Sequence, residues 1–236
     1  MVNIYKPTKD AEFFIPFGPV IGYCKLSDTL VKELNSHIND DLPDHSPFLV
    51  GKVKEEKRFT TEITSKIIEE LQDFIFNYYR YTFERARMHG GSLDPSVDYS
   101  LNVINGWFVR QYAGEYNPLH IHTNCSISCV GYLSLPEGYE EETKEDDKDH
   151  HPSHGHIQFT NGSPGWNESS GFTVKPRVGD FYIFPAKMLH CVYPFYCKGE
   201  RRSFSVNMDI AQISKEELEK ALAKKDKTTI EGQISK

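Results

Sequence analysis

The sequence lacks the features that mark membrane, secreted and nucleic-acid-binding proteins. No apolar run approaches the roughly 20 residues that a helix needs to span a bilayer, and Met1 to Pro7 lead into no signal-peptide core. Basic residues are not in excess, since 34 Asp and Glu outnumber 27 Lys and Arg and give a formal net charge of −7. Proteins that bind nucleic acid need cations to neutralise phosphates. We therefore expect a cytoplasmic protein with neither a membrane nor a nucleic-acid partner.

Cysteine is sparse and shows no disulfide framework. The chain has five cysteines, an odd number, and thiols inside cells stay reduced, so we expect no disulfides. A four-thiolate zinc site usually shows tighter paired spacings than these residues offer. We favour the alternative that they are small, buried strand residues. The cysteines are Cys24, Cys125, Cys129, Cys191 and Cys197.

The two ends of the chain carry helical patterns. Residues 1–100 are predicted to form a helical frame, because Ser27 precedes apolar residues at helical spacing and a longer periodic run extends from Ile63 to Tyr78. The residues between, 43–58, are expected to form an irregular connection. At the other end, residues 213–236 are predicted to form a C-terminal helix and a frayed tail.

Residues 101–212 have the pattern of short strands. About eight β-branched or aromatic runs are separated by Gly, Pro and Asn, which predicts a sandwich or barrel with the helices on one outer face. The whole chain, 1–236, is then a single mainly β domain with flanking helices (α+β). An acidic and His-rich insertion at about 137–156 interrupts this core. A solvated loop is the favoured interpretation, and a mobile flap over a binding mouth is the alternative.

Three histidines form the clearest chemical pattern. His120 and His122 alternate along an extended segment, so their side chains share one face. His190 follows a strand-like run and a turn at 180–187. Neutral nitrogen ligands from neighbouring strands suit a divalent first-row metal that keeps coordination positions open. The pattern therefore predicts a metal site.

The run that follows His190 supplies an anion-binding face. Between Glu200 and Asn207 polar and apolar residues alternate, which places Arg201 and Ser203 on one face. An arginine fork can hold a carboxylate with two hydrogen bonds, and a serine hydroxyl can add a third. A small dicarboxylic co-substrate is therefore predicted.

These motifs, in this order, resemble those of the iron(II)/2-oxoglutarate-dependent oxygenases, in particular a bacterial and phage branch with a His-x-His motif. The resemblance implies a double-stranded β-helix, the jelly-roll core of cupin-like proteins. It also implies hydroxylation of an unidentified small-molecule or peptide substrate, with release of succinate and CO2, in the cytoplasm of the cell or of a phage host. The motifs lie between about 102 and 207: Trp107, His120-Ile121-His122, the strand from Ser128 to Leu133, the segment from Pro176 to Pro185, His190 and Glu200-Arg201-Arg202-Ser203.

The resemblance also implies a role for each site residue. His120, His122 and His190 would hold iron(II). Arg201 and Ser203 would bind the far carboxylate of 2-oxoglutarate. Tyr112, on the strand before the histidine pair, would orient either end of that molecule.

One position departs from the wider superfamily. That superfamily binds iron through two histidines and one carboxylate, and His122 stands at the carboxylate's place. Glu115 and Asp180 are the nearest carboxylates of the motifs, although a turn role is favoured for Asp180. Two alternatives stay open: a cupin-like metal-binding module without activity, and a three-histidine metal enzyme that does not use 2-oxoglutarate. Arg201 argues against the latter.

Overall fold

The structure is a computed structural model, and it describes residues 11–14, 18–39, 41–86, 98–143, 153–163, 169–214 and 216. The helices of the described residues are α1 (Asp28–His37), α2 (Thr61–Ala86) and the short α3 (Tyr139–Glu142), with a 3-10 turn at Ser46–Phe48. The strands are β1 (Ala11–Phe14), β2 (Ile21–Lys25), β3 (Glu55–Arg58), β4 (Asp98–Tyr112), β5 (Asn117–His120), β6 (Ile127–Ser134), β7 (Ile157–Thr160), β8 (Gly171–Val174), β9 (Asp180–Pro185), β10 (Leu189–Val192) and β11 (Glu200–Ile213).

The strands form two antiparallel sheets that face each other. The larger sheet has the order β1-β2-β9-β6-β11-β4-β3, and the smaller has the order β5-β10-β7-β8. Side chains from both sheets meet in one buried cluster, in which Tyr132 and Phe184 of the larger sheet join Ile157 and Phe159 of the smaller. Two facing sheets with long crossovers between them are the architecture of a jelly roll. The predicted fold class is confirmed.

The helices cover the outer face of the larger sheet. The Ser27 hydroxyl caps α1 by accepting a hydrogen bond from the backbone N–H of Leu30, at 3.1 Å. Apolar residues at helical spacing on α1 and α2 then pack with Phe108 and Phe204 of the sheet in a second core. Burial of each large apolar side chain contributes about 1.5 to 3 kcal/mol. This packing fixes the larger sheet, whose opposite face lines the candidate site.

The predicted helical frame also contributes strands to the larger sheet. β1 and β2 extend it beyond β9, and β3 forms its other edge against β4. The irregular connection expected over 43–58 is therefore wrong at its end, where β3 lies. The sequence of β3, Glu-Glu-Lys-Arg, does not predict a strand. Its inward residue is the buried Glu56 rather than an apolar side chain, so the apolar alternation typical of a strand is missing.

Parts of the predicted segments fall outside the described residues. These parts are 1–10, 15–17, 40 and 87–97 of the predicted helical frame, 144–152 of the acidic and His-rich insertion, 164–168 of the predicted strand core, and 215 and 217–236 of the predicted C-terminal helix and tail. Among the helices that the structure does describe, none is long and apolar enough to cross a membrane.

Candidate metal and co-substrate site

The smaller sheet brings the three predicted histidines together. His120 ends β5 and lies directly opposite His190 of β10 in the strand register. His122 lies two residues beyond β5, where its backbone N–H donates to Ala186 O at 2.8 Å. One ring nitrogen from each histidine lies within 4.8 Å of the other two, and this is the one such cluster of His, Cys, Asp or Glu among the described residues.

Hydrogen bonds fix which nitrogen carries the proton in two of the three rings. Nδ1 of His120 lies 2.7 Å from the carbonyl oxygen of Pro118, and Nδ1 of His190 lies 2.9 Å from that of Met188. A carbonyl oxygen only accepts, so both Nδ1 atoms must donate. Nε2 of each ring is then left with a lone pair for a ligand.

The third histidine can reach the same state through a serine. The Ser128 hydroxyl donates its single proton to Asn207 Oδ1, at 2.9 Å. Its oxygen can then accept from Nδ1 of His122, 3.4 Å away. Such partners behind a ligating histidine orient its ring. In that tautomer of His122, all three imidazoles offer Nε2 to the space between them.

Burial keeps these rings neutral. It lowers the pKa of His122 to about 4, and the nearby His120 ring adds to the effect. Burial also lowers the pKa of His120, and it lowers the pKa of His190 well below the ordinary value, with the two neighbouring imidazoles contributing. Neutral imidazoles are the form that ligates metals.

A cavity of about 550 Å³ connects the histidines to the predicted anion site. Arg201 and Ser203 both line it and are 2% and 4% exposed. The other two polar residues of this face of β11, Ser205 and Asn207, line it as well. The alternation read from the sequence therefore places this face toward the cavity, and Phe204 packs in the helix-side core.

Arg201 has neutral partners only. Its guanidinium donates to the carbonyl oxygen of Gly155 at 2.6 Å and to the side-chain oxygen of Gln111, and it lies 5.7 Å from the ring centre of Tyr132. In the described part of the chain its Nε has no hydrogen-bond partner. Burial lowers the pKa of Arg201, which reflects a cation held away from water. A buried cation without a carboxylate partner is suited to an anionic ligand.

The structure does not bring Tyr112 to this cavity. Its hydroxyl lies 3.2 Å from carboxylate oxygens of both Glu55 and Glu200, on the opposite face of β4. The neighbouring Gln111 points inward instead, because it lies opposite Arg201 in the register of β4 and β11. Tyr112 therefore does not face the cavity, as the predicted role of orienting 2-oxoglutarate would require. Gln111 contacts Arg201 instead, and the sequence pattern did not identify this residue.

The two motif carboxylates lie away from the histidine cluster. Asp180 accepts hydrogen bonds from Tyr23 Oη and from the backbone N–H of Arg177, both at 3.0 Å, and pairs with Lys25 at 2.6 Å. Glu115 accepts from the backbone N–H of Tyr112 at 2.9 Å. Neither is part of the cluster of possible metal ligands among the described residues.

The described ends of the acidic and His-rich insertion are fixed to the core. Tyr139 donates to the carbonyl oxygen of His154 at 2.8 Å, and Glu142 lies 2.9 Å from the ring of His154. Gly155, next in the chain, supplies the carbonyl oxygen that holds Arg201. The end of the insertion therefore contacts Arg201 through a backbone carbonyl oxygen, whereas His154 and His156 are not part of the metal-ligand cluster of the described residues.

A comparison with protein families agrees with this geometry. Residues 105–207 match the family described as "Putative 2OG-Fe(II) oxygenase". The matched segment spans β4 to β11 and contains all three histidines and Arg201. The match confirms the resemblance of the motifs to an oxygenase that uses iron(II) and 2-oxoglutarate.

Solved structures similar to this chain have low sequence identity to it. A Pseudomonas putida prolyl-4-hydroxylase is 13% identical, with 80% of this chain and 91% of that chain covered and a TM-score of 0.49. HygX from Streptomyces hygroscopicus, solved with iron bound, is 10% identical, with 80% and 81% covered and a TM-score of 0.47. A Trichoplax adhaerens prolyl hydroxylase is 12% identical, with 79% and 82% covered and a TM-score of 0.45. No curated protein matches the sequence.

Proposed function

We propose that the protein is an iron(II)- and 2-oxoglutarate-dependent dioxygenase that hydroxylates a small-molecule or peptide substrate and releases succinate and CO2. The observation that carries this proposal is the pairing of two features in one cavity. Three neutral imidazoles offer lone pairs to one point, and a buried arginine without a carboxylate partner lies in the same cavity.

The histidine cluster fits a metal ion. Nε2 of His122 and Nε2 of His190 are 3.2 Å apart, and Nε2 of His190 is an acceptor because its Nδ1 donates to a carbonyl oxygen. With the His122 proton on Nδ1, both Nε2 lone pairs can bind one cation. Two nitrogens bonded at right angles to one first-row metal, at about 2.1 Å each, are separated by about 3 Å. We propose that His120, His122 and His190 hold iron(II).

The other end of the cavity fits the far carboxylate of 2-oxoglutarate. Arg201 supplies the charge and an Nε–H without a partner in the described residues, and Ser203 supplies a hydroxyl two residues along the same face. Gln111 and the Gly155 carbonyl oxygen hold the guanidinium in place. Because Arg201 is desolvated before the ligand arrives, an ion pair with it forms without further loss of water around the arginine.

The side chains around this site orient ligands and exclude water. Trp107 stacks on His122, with ring centres 5.8 Å apart, and Phe184 packs edge-on against His190 at 4.9 Å. These contacts hold the imidazoles at fixed angles. When bound, iron(II) and 2-oxoglutarate supply the activation of dioxygen for insertion of an oxygen atom into a C–H bond.

Anaerobic titration with iron(II) and 2-oxoglutarate tests the proposal. A weak visible charge-transfer band that appears only when both are present is expected from direct chelation. Arg202→Ala is the control variant and should give the same band as wild type, because Arg202 pairs with Glu200 outside the cavity. If iron binds but the band never forms, the three-histidine enzyme without 2-oxoglutarate is favoured. If the band forms but no succinate accumulates in air with any substrate, the binding module is favoured.

We also propose a cytoplasmic location. The five cysteines are all free, and two of them, Cys24 and Cys129, are buried. A set of unpaired thiols of this size is typical of a reducing compartment.

A further inference from the structure

A buried carboxyl group lies in the wall of the same cavity, away from Arg201. Glu56 projects inward from β3 and lines the cavity, yet it is only 1% exposed. Its Oε2 has no hydrogen-bond partner among the described residues. Asn117 and His45 line the same region, and Asn117 Oδ1 and His45 Nδ1 also lack partners there. The carboxylate and amide oxygens only accept, so leaving them without donors is costly unless a ligand supplies the donors, and His45 can accept as well when Nδ1 carries its lone pair.

The charges around Glu56 favour a cationic ligand. Burial, and then the negative charges of Asp44 and Glu115, raise the pKa of Glu56 to about 7. No positive group of the described chain counteracts this rise. Arg58 also lines the cavity and is exposed, and its charge lowers the pKa of His45 but is not among the causes that shift the pKa of Glu56. A protonated amine or a guanidinium would supply both the missing hydrogen-bond donors and the missing positive charge.

An apolar rim surrounds the entrance beside Glu56. Phe48 is 78% exposed, Val50 is 56% exposed and Ile121 is 38% exposed, and all three line the cavity. Exposed large apolar side chains that line one entrance favour the binding of an apolar group. A ligand with a cationic end and an aliphatic stem would contact both the rim and the carboxyl group.

A row of aromatic rings connects Glu56 to the histidine cluster. The backbone N–H of His45 donates to the carbonyl oxygen of Glu56 at 2.7 Å, and the His45 ring lies 5.4 Å from Trp107. Trp107 in turn stacks on His122. A group held at Glu56 would therefore lie along the wall that leads to the proposed metal. Through Val109 of β4, Glu56 lies in one register row with Ser203 of β11, two strands away.

We propose that Glu56, with Asn117 and His45, binds the protonated amine or guanidinium of a substrate whose aliphatic stem contacts the apolar rim. This inference rests on the proposed function, because it makes the cationic molecule the one that is oxidised. The substrate class is a molecule with a cationic end and an aliphatic stem. Its source is either a free alkylamine or the lysine or arginine side chain of a peptide. Glu56 is in this scheme a residue that determines specificity.

Binding of simple probes to the full chain tests the proposal. The probes are n-pentylamine, its neutral counterpart 1-pentanol, and N-acetyl-lysine N-methylamide as the peptide form. Binding is measured at pH 8 by protein-observed NMR titration, with wild type, Glu56→Gln and the matched control Glu55→Gln. Glu55 is the neighbour on the opposite face of β3, where it pairs with Arg110 at 2.7 Å. Glutamine keeps the shape of Glu56, so this variant is expected to fold.

We expect n-pentylamine to bind more tightly than 1-pentanol to wild type and to the control. Glu56→Gln is expected to weaken amine binding about tenfold or more and to leave the alcohol unchanged, because only the charged hydrogen bond is lost. Tighter binding of the lysine derivative than of n-pentylamine would indicate a peptide source, and the reverse a free amine. Equal affinity for amine and alcohol, no binding of either amine, or no effect of Glu56→Gln would overturn the proposal.

The same samples separate this proposal from the proposed function. The visible band with iron(II) and 2-oxoglutarate should be unchanged in Glu56→Gln, because Glu56 is not among the hydrogen-bond partners of Arg201 or the cluster of possible metal ligands in the described residues. Amine binding that depends on Glu56 in a protein without the band would refute the oxygenase function and keep the cation site. A normal band in a protein that does not prefer the amine over the alcohol would support the oxygenase function and refute the cation site.

Discussion

Nε2 of His122 lies 3.2 Å from Nε2 of His190, so either one proton or one metal ion fits between the two rings. The hydrogen bond behind His190 leaves its Nε2 as an acceptor, and burial makes a charged ring unfavourable at either position. In the neutral, metal-free pair His122 can donate from Nε2 to His190. A metal ion bound to both Nε2 atoms requires the His122 proton to lie on Nδ1, which faces Ser128.

Removal of one of the proposed metal ligands tests this arrangement. His120→Ala and His190→Ala are each expected to abolish tight iron binding, because two remaining imidazoles leave an incomplete site. His37→Ala, at the end of α1, is the control and should bind iron normally. Elemental analysis of the folded, purified variants decides the outcome. Full iron stoichiometry in either variant would show that the metal binds elsewhere.

Arg201 should affect the co-substrate and not the metal. Arg201→Ala is expected to retain iron and to weaken 2-oxoglutarate binding by about 2 to 5 kcal/mol, the cost of removing one partner of a buried charge pair. Calorimetry on the iron-loaded or zinc-loaded protein measures it. Arg202→Ala, on the outer face of the same strand, should change little. Unchanged affinity in Arg201→Ala would remove this residue from the co-substrate site.

Asp180 should affect stability and not the metal. Its carboxylate holds the turn before β9 through Arg177 N–H and ties it to Tyr23 and Lys25. Asp180→Ala removes the charged acceptor of these hydrogen bonds and one partner of the Lys25 ion pair, so it should lower the free energy of unfolding by about 1 to 3 kcal/mol. Chemical denaturation measures this loss, and metal analysis should show unchanged iron. Loss of iron from a folded Asp180→Ala protein would instead restore Asp180 as a candidate ligand.

The sequence predicted those parts of the fold and site in which a side-chain pattern reports directly on burial. Alternation gave the inward face of β11, and helical spacing gave α1 and α2. The pattern failed at β3, where the inward residue is the carboxyl group of Glu56, for which we propose a role in binding a cation. Alternation did not give the orientation of Tyr112 either. Gln111 and Tyr112 are adjacent polar residues, and only the register that pairs Gln111 with Arg201 shows which of them faces inward.

The choice among candidate carboxylates needed three-dimensional contacts as well. Spacing along the chain left Glu115, Asp180 and His122 as competitors for the third ligand position. Only the hydrogen bonds show that Asp180 is held by a turn and a lysine, and that Ser128 orients His122. These contacts join residues far apart in sequence, so no local pattern contains them.

Glu56 predicts an unusual dependence of stability on pH in the metal-free protein. The pKa of Glu56 is about 7 in the folded state against an ordinary 4.5, so the folded protein binds this proton more tightly than the unfolded chain does. Stability from this group is fully present below about pH 4.5 and is lost as the pH rises toward 7. Glu56→Gln should remove that loss and raise the free energy of unfolding at pH 8 by about 1 to 3 kcal/mol.

Urea denaturation at pH 5 and pH 8, in the presence of a chelator, checks this expectation. Glu55→Gln is the control, and its stability should follow the wild-type pH dependence. If Glu56 is kept for binding rather than for stability, Glu56→Gln should gain stability and lose affinity for amines. A Glu56→Gln protein less stable than wild type at pH 8 would show that the carboxylate is paired in solution.

His122 is the residue at which this chain departs from the two-histidine, one-carboxylate site of the wider superfamily. If its imidazole binds iron, His122→Asp should keep a metal site, because an aspartate there restores the common triad. His122→Ala should bind iron more weakly than either. A role limited to orienting a neighbour would instead make His122→Asp and His122→Ala equally impaired, by about 10 to 100-fold. Spectroscopic counting of the imidazole nitrogens on the bound metal separates the two cases. Three nitrogens in wild type and two in His122→Asp are expected, whereas two in both would place His122 outside the metal's ligands.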